Sequence, residues 1–124
     1  MSDLPASTEQ APINFDHALK AALGNAKLLS KVVGLLLKQM DVDLPAIRAG
    51  VAARDSPALA NSSHRLKGSL GAIAANPAYL CCTALNQSAR SVVIASYEPE
   101  LALLEHELAR LRPCLQAWLI EQTK

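Results

Sequence analysis

Leu101, Leu104, Leu108, Leu111, Leu115 and Trp118 recur at intervals of three and four residues, the spacing that gathers side chains on one face of an α-helix. A long helix with a single apolar face has to bury that face against other elements. Composition decides which. The chain is 51% hydrophobic, and that fraction is mostly alanine and leucine; one Trp, two Tyr and one Phe are its only aromatic residues. β-Branched and aromatic side chains are too sparse to furnish a sheet, so the partners are other helices. A chain of 124 residues suffices for one such core and not for two.

Punctuation along the chain divides it. Residues 1–12, MSDLPASTEQAP, are small, polar and proline-containing without periodicity, and read as a flexible tail or linker ahead of a domain over 13–124. Phe15, Leu19, Ala22 and Leu23 form a short apolar stripe that stops at Gly24, a helix end. Asn25 caps a second helix bearing Leu28, Leu29, Val32, Val33, Leu36 and Met40. Pro45, after the acidic run Asp41–Asp43, predicts a kink or restart near Leu44; the pattern then continues to Arg54.

Asp55 or Ser56 caps a third helix, with Pro57 in its first turn, running to about Ala75. Asn76 and Pro77 open a fourth, to about Val92, and SVVIAS at 91–96 reads as a frayed end or loop. The last helix spans Tyr97 to Ile120, and Pro113 predicts a kink. The expected fold is all-α: an antiparallel four-helix bundle with a short N-terminal cap helix.

Several function classes drop out. A net charge of +1 lacks the basic face of a nucleic-acid module. No apolar run reaches the roughly 18 residues of a membrane span, and no signal-peptide pattern opens the chain. Cys81, Cys82 and Cys114 form no C-x-x-C pair, which suggests neither a disulfide framework nor a zinc site. They read as reduced, small apolar side chains in a cytoplasmic setting.

The third helix holds the chemistry. Measured from Leu66 at 100° per residue, Leu59, Leu70 and Ile73 lie within about 40° of one buried direction, and His64 lies about 160° away. His64 therefore faces water, beside Pro57, Ala60, Lys67, Gly68 and Gly71. Glycine inside a helix costs about 1 kcal/mol relative to alanine, and two glycines flank this ring, where they permit another surface to approach. Lys67, three residues on, brings an ammonium group to the same region. A neutral imidazole is a nucleophile near physiological pH, and phosphoryl transfer needs positioning and charge neutralisation more than covalent machinery. No phosphate-binding glycine loop is present, so the second substrate has to be a protein. His17 and His106 also point to solvent by the same arithmetic, but without lysine–glycine company.

His64-Arg65-Leu66-Lys67-Gly68-Ser69 resembles the H-x-L-K-G-[SA] signature of the histidine phosphotransfer (HPt) domain of bacterial multistep phosphorelays. The similarity covers roughly Ile13 to Glu121 and includes the AL…LGNAKLL opening at 18–29, the Pro45 helix and the Asp55 turn. It implies that His64 accepts a phosphoryl group from an aspartyl phosphate of one receiver domain and passes it to another receiver's aspartate. Lys67 would be the phosphate-proximal cation and Gly68 the residue giving access to the ring, with Gly71 at another small position. Magnesium would sit on the receiver, with no cofactor on this chain. Two positions depart from the pattern: Ala74-Ala75 where glycine-alanine is common, and Leu85-Asn86 where leucine-glutamate is usual.

The expected docking surface is the His64 face with the adjoining face of the second or fourth helix: Ala60, Arg65, Gly68 and Gly71, with Lys38, Gln39 or Gln87 nearby. A polar rim there would choose between receivers through a weak, transient interface. The expected protein is a monomer, free-standing or the C-terminal domain of a membrane-bound hybrid kinase. The alternatives are a sensor-kinase dimerisation helix, which Arg65-Leu66-Lys67 does not resemble, and a helical adaptor that binds receivers without transferring phosphate.

Overall fold

Three side-chain caps set where helices begin. Asn14 accepts from the His17 N–H at 3.0 Å, Asn25 from Leu28 at 3.0 Å and Asp55 from Ala58 at 3.2 Å, each satisfying an otherwise unpartnered first-turn donor. A computed structural model describes residues 10–91 and 97–124. They form α1 (Phe15–Ala21), α2 (Ala26–Ala53), α3 (Ser56–Ala72), α4 (Asn76–Ala89) and α5 (Glu98–Gln122), and no strand occurs among the described residues.

The helices α2 to α5 pack in a closed ring, each on its chain neighbour and α5 back on α2. This is the expected four-helix bundle, with α1 as its cap. The core runs along its axis through Leu29, Val33, Leu36, Met40, Ile47, Leu59, Leu66, Leu70, Leu85, Leu104, Leu108, Leu111 and Leu115. Short α1 buries Ala18, and Phe15 stacks on Trp118 of α5 with ring centroids 5.4 Å apart.

Several sequence expectations shift. The α2 helix runs on through Pro45 without a restart near Leu44, and α5 likewise continues through Pro113. Each proline removes one hydrogen bond to the carbonyl four residues back. Pro45 and Asp41, like Pro113 and Ala109, lie on exposed faces, where water takes up the freed carbonyl while the opposite face stays packed. The α3 helix stops at Ala72 and not near Ala75. Ala74 turns left-handed (φ 57°), and the Ala75 N–H bonds back to the Leu70 carbonyl at 3.1 Å, closing the helix in a Schellman-type cap.

The α4 helix ends at Ala89, short of Val92. Most of SVVIAS and of the residues 1–12 tail lies outside the described residues. Leu23, placed in the α1 stripe by its spacing, is 90% exposed because the helix has already ended in a left-handed turn at Leu23 and Gly24. Leu28 also turns outward, at 44% exposure.

Candidate functional site

Leu59, Leu66 and Leu70 are completely buried, and each such leucine contributes about 2–5 kcal/mol against truncation to alanine. They fix the rotation of α3 about its axis. His64, on the opposite side of that helix, is exposed, as is Gly68 one turn further on. A Cβ placed on Gly68 would meet nothing within 4 Å. The surface beyond the ring is therefore open by one full side chain, on an element too well packed to shift.

The other residues singled out in the sequence divide between two flanks. Toward α4, Lys67 is half-buried, and its ammonium charge acts on the Cys82 thiol, partly opposing the burial that raises that thiol to about 12. Lys67 has no carboxylate partner among the described residues. Ala60 is half-buried, and its carbonyl accepts from Asn86 Nδ2 at 2.9 Å. A Cβ on Gly71 would sit 3.0 Å from the Tyr79 ring, so this glycine makes room for a side chain of its own fold. Toward α2, Arg65 donates from Nε and Nη2 to one oxygen of Asp43, at 3.2 and 2.9 Å.

His64 and Gly68 share the open face, with Lys67 at its edge. Ala60 and Arg65 are hydrogen-bonded to α4 and α2, Arg65 stays exposed, and Gly71 is exposed beside Tyr79 of α4. Lys38 and Gln87 are exposed, whereas Gln39 is half-buried and donates to Asp43. His17 and His106 are exposed, as their helical positions predict.

Asp43 and Ser63, buried polar residues behind the site, escape the sequence analysis, and Asn86, noted there only as a departure, is buried with them. Asn86 donates to Ser63 Oγ at 3.0 Å, and the Cys82 thiol donates to the Ser63 carbonyl at 3.2 Å. These bonds tie α4 to the turn that carries His64, so Asn86 belongs to packing and not to a docking rim. A signal for Asp43 was present: Leu29, Leu36, Asp43 and Gly50 recur every seven residues on the buried side of α2. No group of three metal-ligating side chains occurs among the described residues, and no helix there is long and apolar enough to cross a membrane.

A solved structure shares this fold. The HPT domain of the Hpt sensor hybrid histidine kinase from Shewanella, a crystal structure at 1.80 Å, superposes with a TM-score of 0.81 over 90% of this chain and 96% of that one, at 19% identity. The sensor histidine kinase GacS of Pseudomonas protegens is 42% identical over 53 residues, which are 43% of this chain and 6% of that kinase. The family model of the Hpt domain matches residues 31–113, a span that contains His64, Lys67 and Gly68, and the chain belongs to that family.

Proposed function

We propose that His64 is the phosphoryl acceptor of a phosphorelay and that its donors and acceptors are receiver domains. The observation that carries this reading is the exposed imidazole with vacant space above Gly68, on a helix locked by three buried leucines. The lone pair of the unprotonated ring nitrogen attacks phosphorus of a receiver's aspartyl phosphate. The N–P bond forms, the P–O bond to the aspartyl carboxyl breaks, and the carboxylate leaves with the electron pair. The reverse step delivers the group to a second receiver. Lys67 stabilises the phosphoryl charge, Gly68 lets the receiver's active site reach the ring, and magnesium belongs to the receiver. The chain acts as a monomer in the cytoplasm.

The receiver rests on the α2 side of His64. Leu35 and Val42 are 65% and 62% exposed, and with Val32, Ser69 and Ala72 they line a groove between α2 and α3. Ala72 is one turn from Gly68, so the groove runs on to the open face. Lys31 and Lys38 border the stripe without carboxylate partners among the described residues, a rim suited to an acidic partner.

Incubation with a receiver bearing labelled phosphate tests the reading. The expected result is rapid movement of label onto this chain, slowed by Leu35→Asp. A stable complex with no label on this chain would favour the adaptor alternative.

A further inference from the structure

We propose that Asp43 is a positioning residue for the phosphoryl group on His64: it holds the Arg65 guanidinium on the α2 flank, leaving Lys67 as the cation that meets that group. The inference rests on His64 being the acceptor. Asp43 has no exposed surface, and a carboxylate in that setting has to be paired. Its Oδ2 accepts from Gln39 Nε2, and its Oδ1 accepts from both Nε and Nη2 of Arg65.

The Arg65 side chain is itself 52% exposed. It spans from the buried carboxylate to the surface, directly after His64 in sequence. An unanchored arginine there would be free to sweep across the ring face. Drawing it away from Asp43 would strand a buried charge, a cost larger than an exposed ion pair with phosphate returns. Arg65 is thus neutralised and immobile, whereas Lys67 on the other flank has no carboxylate partner among the described residues. One cation without a carboxylate partner among the described residues neutralises part of the phosphoryl charge without trapping it, which suits a group that must be passed on.

Transfer from phosphorylated His64 to a receiver distinguishes this role from simple packing. Asp43→Asn weakens the tether and frees Arg65 to pair with the phosphoryl group. The expected result is transfer slowed by about fivefold, the upper range for an exposed ion pair. Asp43→Asn combined with Arg65→Gln removes the released cation and restores a rate within about twofold of native. A purely structural role leaves the double variant no faster than Asp43→Asn. That result, or a native rate in Asp43→Asn, overturns the proposal while leaving the acceptor role of His64 intact.

If either variant fails to fold by circular dichroism, the native chain supplies the test. It is phosphorylated with phosphoramidate, whose N–P bond breaks with loss of ammonia as the ring N–P bond forms. The Arg65 Nε–H resonance should keep its chemical shift, and a shift toward a phosphate-bound value overturns the proposal. A native chain that takes no phosphate from any donor removes both readings.

Discussion

Asn86 Nδ2 lies 3.0 Å from Ser63 Oγ and 2.9 Å from the Ala60 carbonyl, joining α4 to the segment of α3 immediately before His64. The Ser63 contact is buried and the Ala60 contact half-buried, so truncation removes both polar ties between the helices from a largely dry seam. Asn86→Ala should cost about 1–3 kcal/mol, measured by urea unfolding. A loss within experimental error would show that water replaces the amide and that the α3–α4 tie is not structural.

Ala74 adopts φ 57° at the end of α3, where a Cβ costs about 1–2 kcal/mol relative to glycine. Part of that is returned because glycine gains freedom in the unfolded chain. Ala74→Gly should therefore stabilise the fold by roughly 0.5–1 kcal/mol. Thermal melts of the two proteins check this, and a lower midpoint for the glycine variant would contradict it.

Gly68 and Gly71 should respond differently to the same change. A Cβ on Gly68 meets open space, and Gly68→Ala should stabilise α3 by about 1 kcal/mol. On Gly71 the added carbon lies 3.0 and 3.2 Å from atoms of the Tyr79 ring, so the displaced ring cancels the helical gain. Gly68→Leu should keep the fold but slow transfer by about tenfold or more, because a receiver can no longer seat against the ring. Equal rates for Gly68→Leu and the native chain would remove the access role assigned to this glycine.

Burial raises the Cys82 thiol from 9.0 to about 12. The folded chain therefore keeps this proton in a range where the unfolded chain releases it. The associated stability is complete below pH 9.0 and is lost as pH rises toward about 12. Between those limits the native protein should lose about 1 kcal/mol per pH unit more than Cys82→Ala, as read from denaturant midpoints. At pH 8 a thiol reagent should modify half-buried Cys81 and Cys114 first, and Cys82 only on unfolding. Equal pH slopes, or three thiols reacting at one rate, would contradict this.

Much of the molecule was legible in its sequence because periodicity and capping act locally. Leu59, Leu66 and Leu70 define a buried direction that needs no knowledge of neighbouring helices, and the exposure of His64 follows from it. Asn25 and Asp55 announced their helices for the same reason. What escaped depends on other elements. Asp43 resembles a solvated acid until Arg65 arrives from α3. Gly71 is exposed as its position predicts, but the nearness of the Tyr79 ring of α4 does not show in the sequence. Pro45 allows a helix restart in the sequence because a one-dimensional pattern does not show that the freed carbonyl faces water. Leu23 has the spacing of a stripe, but the helix ends before it in a left-handed turn.

Phosphate bonded to a ring nitrogen is lost in acid and survives base, so its chemistry and position can be read together. The decisive measurement is acid-labile, base-stable phosphate on the native chain and on His64→Gln after exposure to one phosphorylated receiver. His17 and His106 remain present in both. Label on the native chain and none on a His64→Gln variant with an unchanged melting temperature is the predicted result. Equal label on both would place the phosphate elsewhere and contradict the assignment of His64.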